Sequence, residues 1–558
     1  MQNKATIKFF FRILAVILGI LQAWGSQFNL SIDGVTYLDI ADAYLRKDWE
    51  SAINGGYSPL YSWILALFTF ILKPSPYWES SCVVLVNLII YFLTIWSFEF
   101  FLTNLLSYYK NNDHLAIPKW LIETFSYVLF IFCSLNLIGI SEQSPDMCIS
   151  GFIYLLTGIL LLFKKKGEGN LIFFFFGITL GLGCLTKEIM FPLAIIFILT
   201  GMFLLKTSQI RVNYILIVLF VFSLIASPFI YMLSASKGRF TYGDAGRLNY
   251  AWFVNGIHDK WFSGIAGHGS PVHPPEKIFD NPLIYNFQSH FKNATHPYVY
   301  DPSYWWEGVK TRFEFKKQIN ILLEHFRFYL NFFFQNQSEL VIGFIVLFYY
   351  SGRGLKILED ISKQCILLLP SVFTLGLYSF VNVEKRYLAA FIFLFWLGLF
   401  LSLALSKTKE SEKLFTNILI AMLSITLIRI SFSTTRDIYH ITENLISGTK
   451  ANKPWVIAHE LKNLGLNPKD KIATLWEGNS TNWARLAKLR ITCEPWYGPK
   501  VFWQATSSTK SQIIKVFKEF GIKAIIAKEI PSYTLIEAKE KGWQNIGGLE
   551  SYIYIIRN

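Results

Sequence analysis

Long apolar runs separated by short polar stretches occupy most of the chain, and the length of those runs decides the fold class. Stretches such as LIFFFFGITLGLGCL (171–185) and YILIVLFVFSLIASPFIYML (214–233) hold no charged residue. A hydrocarbon core of about 30 Å takes about 20 apolar residues in a helix. Backbone groups cannot go unpaired in lipid, and continuous runs rather than alternation select helices over a barrel. Twelve apolar segments emerge, near 9–28, 57–72, 82–105, 120–140, 147–163, 170–186, 189–205, 212–233, 326–350, 364–381, 387–405 and 413–432. The expected fold is therefore an α-helical polytopic membrane protein with about 11–13 transmembrane helices. Two regions, 234–325 and 436–558, instead have the composition of soluble protein. In the tail, a helix-like 455–464, a strand-like KIATLW (471–476), a helix-like 507–520, a strand AIIA (524–527) and a strand YIYII (552–556) predict a small α/β domain. The pattern divides the chain into a membrane module over 1–433, with outer loops 29–56 and 234–325, and a C-terminal extracytoplasmic α/β domain over 434–558.

Basic residues in short loops set the orientation. Placing KKK (164–166), 206–211, Arg353 with Lys356, and SKTKESEK (406–413) in the cytoplasm puts 141–146, 187–188, 234–325, 382–386 and 433–558 outside. The basic N-terminus (Lys4, Lys8, Arg12) also belongs inside. Twelve full crossings return the chain to its starting side, whereas this assignment needs an odd number. Segment 57–72, short and introduced by Gly55, Gly56 and Pro59, is expected to dip into the interface rather than cross, unless a span elsewhere is miscounted. The first apolar run is long and lacks a clear small-residue cleavage site, so it reads as a retained helix rather than a signal peptide. In the loop 29–56, Asp33, Tyr37 and Ala41 fall at i, i+4 and i+8, which predicts a short helix along the membrane.

Composition sharpens this picture. Of 558 residues 53% are hydrophobic and only 16% charged, against about 25% charged in soluble domains. The net charge of +14 resides largely in the short loops, which argues for membrane orientation and against nucleic acid as a partner. Cys82, Cys133, Cys148, Cys184 and Cys365 lie in or beside apolar runs and only Cys493 in the tail, so neither a disulfide framework nor zinc spacing is present. There is no GxGxxG or P-loop, and no internal repeat.

The informative chemistry is a gathering of ionisable groups at one predicted membrane face. Asp33, Asp39 and Asp42 lie in the first outer loop, Glu142 and Asp146 in SEQSPD, Lys187 and Glu188 in LTKE, and Glu384, Lys385 and Arg386 in VEKRY. Solvated helix ends account for any one of them. Their joint appearance beside apolar runs, where charge is costly, points to function. Six of nine histidines fall in 234–325, but His268 and His273 of GHGSPVHPP lack the three or four convergent ligands that a metal site needs. Trp305 and Trp306 there are expected either to wall an acceptor site or to join an interfacial aromatic belt. In the tail, Trp483 and Trp496 read as packed core.

Four motifs carry a family resemblance. DGVTYLDIADAYLRKDW, followed by SPLYSWILAL, resembles the first outer loop of the GT-C class of integral membrane glycosyltransferases. Within that class the chain resembles the protein O-mannosyltransferases and bacterial lipid A aminoarabinose transferases, a likeness of the glycosyltransferase family 39 kind. Asp33 and Tyr37 take the places of the Asp, and the Tyr four residues on, that open the family's active site. SPDMCISGFIYLLTGILLLFKKK places Asp146 where the family has an acid opening the helix after the second outer loop. GITLGLGCLTKEIMFPLA is similar to a Gly-rich helix ending in Thr-Lys, and VEKRYLAAFIFLF to a late motif with a basic residue and Tyr. The likeness covers residues 10–210 and 380–400, elsewhere only the layout. One departure stands out: where the aminoarabinose transferases have an acidic–basic pair before the Pro of the first loop, this chain has GGYSPL.

The resemblance implies a sugar donor linked through phosphate to a polyprenyl lipid, and a lipid, glycan or protein acceptor. It implies catalysis by Asp33 and Asp146, with Tyr37, Lys187, Lys385, Arg386 and Glu142 binding the donor phosphate and substrate. No cofactor is expected, a divalent metal being unsupported. It implies inversion at the anomeric carbon, a bacterial inner (plasma) membrane, and an active site and C-terminal domain outside the cytoplasm. The alternatives are a transporter or lipid flippase, a polysaccharide polymerase or ligase, and a non-catalytic scaffold. Transporters favour midplane sites and inverted repeats, which this pattern lacks.

Overall fold

The computed structural model describes residues 2–110, 118–166, 169–258, 261–352, 354–403, 409–476 and 481–557. Arg353 and residues 404–408 of the loop used for orientation lie outside them, as do the side chains of 164–166. Among the described residues, six helices are long and apolar enough to cross a membrane: Ile7–Gly25, Pro76–Tyr109, Lys119–Ile138, Asp146–Phe163, Ser208–Lys237 and Lys413–Asn463. The number is up to eight if two bent pairs each count as one span, Phe315–Asn336 with Ser338–Ser351 (84°) and Gly354–Ser362 with Cys365–Ser379 (93°). Shorter apolar helices cover Pro59–Leu72, Asn170–Thr186 and Met190–Leu204. The twelve apolar segments thus yield fewer long spans, because some fold as helices of 14–17 residues and others bend midway. Pro59–Leu72 has 14 residues, about 21 Å at 1.5 Å per residue, well short of the hydrocarbon core. The chain is an α-helical polytopic membrane protein carrying a small sheet domain toward its C-terminus.

Two compact units are each assembled from three stretches. The first comprises Met1–Ser26, Leu85–Gly256 and Thr311–Ile441; the second comprises Gln27–Val84, Ile257–Lys310 and Thr442–Asn558. Helix Lys409–Ser447 runs without a break through position 434, where composition puts a domain boundary.

In the first unit, small residues bring helices together as hydrophobicity alone cannot in lipid. A Cβ at Gly177 would sit 2.9 Å from Val221 Cβ, and one at Gly181 2.8 Å from Ile225 Cβ, so helix Asn170–Thr186 packs directly on Ser208–Lys237. Phe98, Phe130, Tyr154 and Phe393 interlock at centroid separations of 4.3 Å (Phe98–Phe130) and 5.2 Å (Tyr154–Phe393). Helix Lys385–Leu401, buried along most of its length, threads this core.

The second unit is built on a seven-stranded sheet of β1 (Glu276–Phe279), β2 (Ile284–Asn286), β3 (Lys471–Leu475), β4 (Arg490–Pro495), β5 (Ile522–Ala527), β6 (Gln544–Asn545) and β7 (Tyr552–Ile555), in the order β1-β2-β4-β3-β5-β7-β6. β4, β3 and β5 are parallel, and the outer strands antiparallel. Successive residues of β5 fall in different cores, Ile525 and Ala527 in one and Ala524 and Ile526 in the other, as a sheet buried on both faces requires. Trp483 is in the second of these cores. Trp496 packs on Phe262 at 4.9 Å. The strands expected in the tail are present; β1, β2, β4 and β6 were not anticipated. β2 comes from the loop 234–325 and pairs with β4 through Ile284↔Pro495, Tyr285↔Glu494 and Asn286↔Cys493. The expected helix of the first outer loop is Ile32–Leu45. Its nine buried residues run almost continuously from Gly34 to Ala43, so it is a packed element rather than one with a single apolar face laid on lipid.

Candidate active site

The ionisable residues singled out in the sequence divide between the two units, and each half is a separate arrangement. In the second unit, Ser31 caps helix Ile32–Leu45 by accepting from the Gly34 N–H, which puts Asp33 in the first turn. A carboxylate there is favoured by the helix dipole. Asp33 is half-buried, and Tyr57 donates its hydroxyl to Asp33 Oδ1 at 2.9 Å. Burial, reinforced by Asp33, raises the Tyr57 hydroxyl well above its ordinary value, so it stays a donor. Tyr37 is buried, its ring edge-on to Tyr57 (5.0 Å) and Tyr61 (4.8 Å). The loop that carries Tyr57 is fixed by Asn54, whose Oδ1 accepts from Gly56 N and Tyr57 N (2.9 and 3.0 Å) and whose Nδ2 donates to Tyr300 O (2.6 Å). Among the described residues no cation pairs with Asp33, so its carboxylate is oriented yet uncompensated.

Asp39 and Asp42, six and nine residues on, are spoken for. Arg485 of helix Asn482–Ala487 donates to Asp39 Oδ1 (2.5 Å), Asp42 Oδ2 (3.0 Å) and both oxygens of Glu79 (3.0 and 2.9 Å). Thr295 adds its N–H to Asp39 Oδ2 at 2.7 Å. Burial pushes the Asp39 carboxyl up to about 6, against the pull of Arg485. Arg485 and Glu79 were invisible as a site, because their partners lie some 400 positions away in sequence.

In the first unit, four predicted residues meet. Asp146 opens helix Asp146–Lys166 and is buried. Lys187, between helices Asn170–Thr186 and Met190–Leu204, donates its Nζ to Asp146 Oδ1 at 2.6 Å and lies 3.5 Å above the Tyr387 ring. Burial works against charge on Lys187, but Asp146 more than offsets it and the ammonium is held above its ordinary range. Ser144 Oγ donates to Asp146 Oδ2 at 2.8 Å. Arg386 lies 3.6 Å from that oxygen, donates to Glu384 Oε2 at 2.8 Å and pairs with Glu142. Tyr378 stacks on Tyr387 at 5.3 Å. Lys385, the first residue of its helix, is exposed and outside this network. Glu188 faces away from it as well. It accepts from Gly246 N at 3.0 Å, lines a small pocket with Cys184, Phe191 and Tyr242, and is raised to about 7 by burial.

Trp305 and Trp306 are fully buried, with Trp306 stacked on Trp261 at 5.6 Å. They are core of their own loop, so neither a wall with faces open to sugar nor an interfacial belt describes them. His273 stacks on Tyr304 at 4.2 Å. Among the described residues no group of three or more His, Cys, Asp or Glu side chains is placed to hold a metal ion.

Against this geometry, no family model matches the chain. No curated protein matches it in sequence. Solved structures do match. ArnT from Cupriavidus metallidurans bound to undecaprenyl phosphate superposes with a TM-score of 0.52 at 10% identity, over 98% of this chain and 97% of that one. The chain has the GT-C fold. The apo state of the same ArnT (TM-score 0.49, 11% identity, 97% of each chain) and the Archaeoglobus fulgidus oligosaccharyltransferase in complex with Zn and sulfate (0.48, 14%, 93% of this chain and 67% of that one) are also similar. Within the GT-C fold the ionisable side chains fall into two kinds of surroundings: an uncompensated Asp33 beside Tyr57, and a closed Asp146–Lys187–Arg386–Glu142 network.

Proposed function

We propose that the chain is a membrane glycosyltransferase that moves a sugar from a polyprenyl-phosphate-linked donor to a hydroxyl acceptor at the extracytoplasmic face of a bacterial inner membrane. The observation that carries this reading is Asp33: a carboxylate with Oδ1 held by Tyr57 and no partner on Oδ2 among the described residues, in a GT-C fold. A general base must be ionised, oriented and able to reach a proton. The acceptor oxygen attacks the anomeric carbon as its proton passes to Asp33. The bond from that carbon to the phosphate oxygen breaks, the electron pair leaves with the lipid phosphate, and attack from the opposite face inverts the centre.

Charge growing on the phosphate calls for preorganised cations. In this reading Lys187, Lys385 and Arg386 supply them. Asp146 holds Lys187 in place and charged, Glu142 holds Arg386 in place, and Tyr37 shapes the first-loop side. The structural likeness to an ArnT crystallised with undecaprenyl phosphate supports a lipid-phosphate partner.

The test is transfer of radiolabelled sugar from a panel of polyprenyl-phosphate donors by the full chain in lipid nanodiscs, with release of polyprenyl phosphate followed in parallel. The reading expects turnover with at least one donor. Well-folded protein that turns over none of them would favour a transporter or scaffold.

A further inference from the structure

Arg485 belongs to no step of that reaction, yet it is held by several carboxylates at once. Its side chain is 7% exposed and makes four hydrogen bonds to three carboxylates, Asp39, Asp42 and Glu79. With Thr295 on the second oxygen of Asp39, one guanidinium joins four segments: helix Ile32–Leu45, the start of helix Glu79–Lys110, the loop carrying β2, and the α/β domain. As a device for stability this is a poor choice. Three acids for one base leave net negative charge where desolvation is costly, and packed apolar side chains do as well or better. As a device for geometry it is well suited. The planar fork grips Glu79 through both oxygens and Asp39 and Asp42 one each, fixing direction as well as distance.

Two of those three carboxylates ride on the helix whose first turn bears Asp33. Asp39 is six residues from Asp33, about 9 Å along the axis, and the helix is only 14 residues long. A tilt at Asp39 and Asp42 therefore appears at Asp33 and at Tyr37 between them. We propose that Arg485 is a positioning residue: through Asp39 and Asp42 it sets the placement of helix Ile32–Leu45, and so of Asp33, which gives the C-terminal domain the role of holding the reactive helix. This rests on Asp33 being the base.

The test uses the full chain in nanodiscs. Arg485→Lys keeps the charge and loses the fork. It should lower kcat about ten- to a hundredfold, the scale of an ångström of misplacement, while KM for the donor and the unfolding temperature stay near wild type. Asp42→Asn removes one arm at a part-exposed carboxylate, covers the case in which Arg485→Lys fails to fold, and should give a smaller loss of the same kind. An activity-independent reading comes from Asp33→Cys, whose alkylation rate by a water-soluble maleimide should shift at least threefold when Arg485→Lys or Asp42→Asn is added. Unchanged kcat and unchanged alkylation, or a kcat that falls only as folded protein is lost, would overturn the proposal. Shifted alkylation in a chain whose wild type transfers no sugar would keep the positioning and reject Asp33 as base.

Discussion

Asp33 and Asp146 both sit in the first turn of a helix, each at the predicted outer end of an apolar stretch, yet their surroundings are opposites. Among the described residues Asp33 receives one hydroxyl and no cation. Asp146 is 3% exposed, takes a serine hydroxyl and a lysine ammonium, and has a guanidinium 3.6 Å away. A carboxylate engaged in this way is an anchor: it lets a lysine stay charged while buried. A carboxylate held by one neutral donor keeps an oxygen with no partner among the described residues. The difference separates a pair of similar sequence motifs into an open carboxylate and a paired one, which in the proposed reaction take the parts of base and support.

The contrast can be broken first at Lys187. Lys187→Met removes the ammonium from a buried Asp146 and should cost about 3–5 kcal/mol of stability, read as thermal unfolding in detergent. Adding Asp146→Asn should recover much of that loss, and a double-mutant cycle without such coupling would reject the anchor role.

Asp39 gives the next largest effect. Burial raises its carboxyl to about 6 from an ordinary 3.8. The native state thus binds this proton more tightly than the unfolded chain does, by about 3 kcal/mol at 1.36 kcal/mol per unit. That contribution is fully present below about pH 4 and is lost as the pH rises through about 6. Relative to Asp39→Asn, the wild type should lose 2–3 kcal/mol (about that order) between pH 4.5 and 7.5; parallel curves would contradict it.

Tyr57→Phe should leave stability within about 1 kcal/mol. It should slow transfer about tenfold, because Asp33 loses its orientation. Equal turnover would make Tyr57 a packing residue only. The smallest effect belongs to Arg386→Gln, whose nearest carboxylates Glu142 and Glu384 are 30% and 41% exposed, while the buried Asp146 lies farther off at 3.6 Å. About 1 kcal/mol or less is expected from such a pair, with a rise in donor KM as the telling change.

Much of this was legible in the sequence, for reasons that are local. Hydrophobic run length gave the membrane class, and strand-like KIATLW, AIIA and YIYII became β3, β5 and β7. Asp146, Lys187, Glu142 and Arg386 were grouped because each abuts an apolar run, and they do meet. What was not legible depends on long-range pairing. β2 draws the loop 234–325 into the tail's sheet, and nothing in LIYN announces a partner in ITCEP. Trp305 and Trp306 looked available because the loop is polar, but the loop folds a core of its own around them. Arg485 lies in NWARLAKLR, which reads as packed core around Trp483, and only the fold supplies its three carboxylates. Tyr57 is one of 28 tyrosines, and its hydroxyl mattered only once the loop turned it onto Asp33.

The most direct test compares Asp33→Asn with Asp146→Asn in the same nanodisc transfer assay, with unfolding temperature measured on each sample. The account predicts that Asp33→Asn lowers kcat by about 10²–10⁴, the usual worth of a general base, with stability intact, while Asp146→Asn lowers the unfolding temperature and weakens donor binding. Transfer by Asp33→Asn at the wild-type rate, in protein that is normally folded, would contradict it.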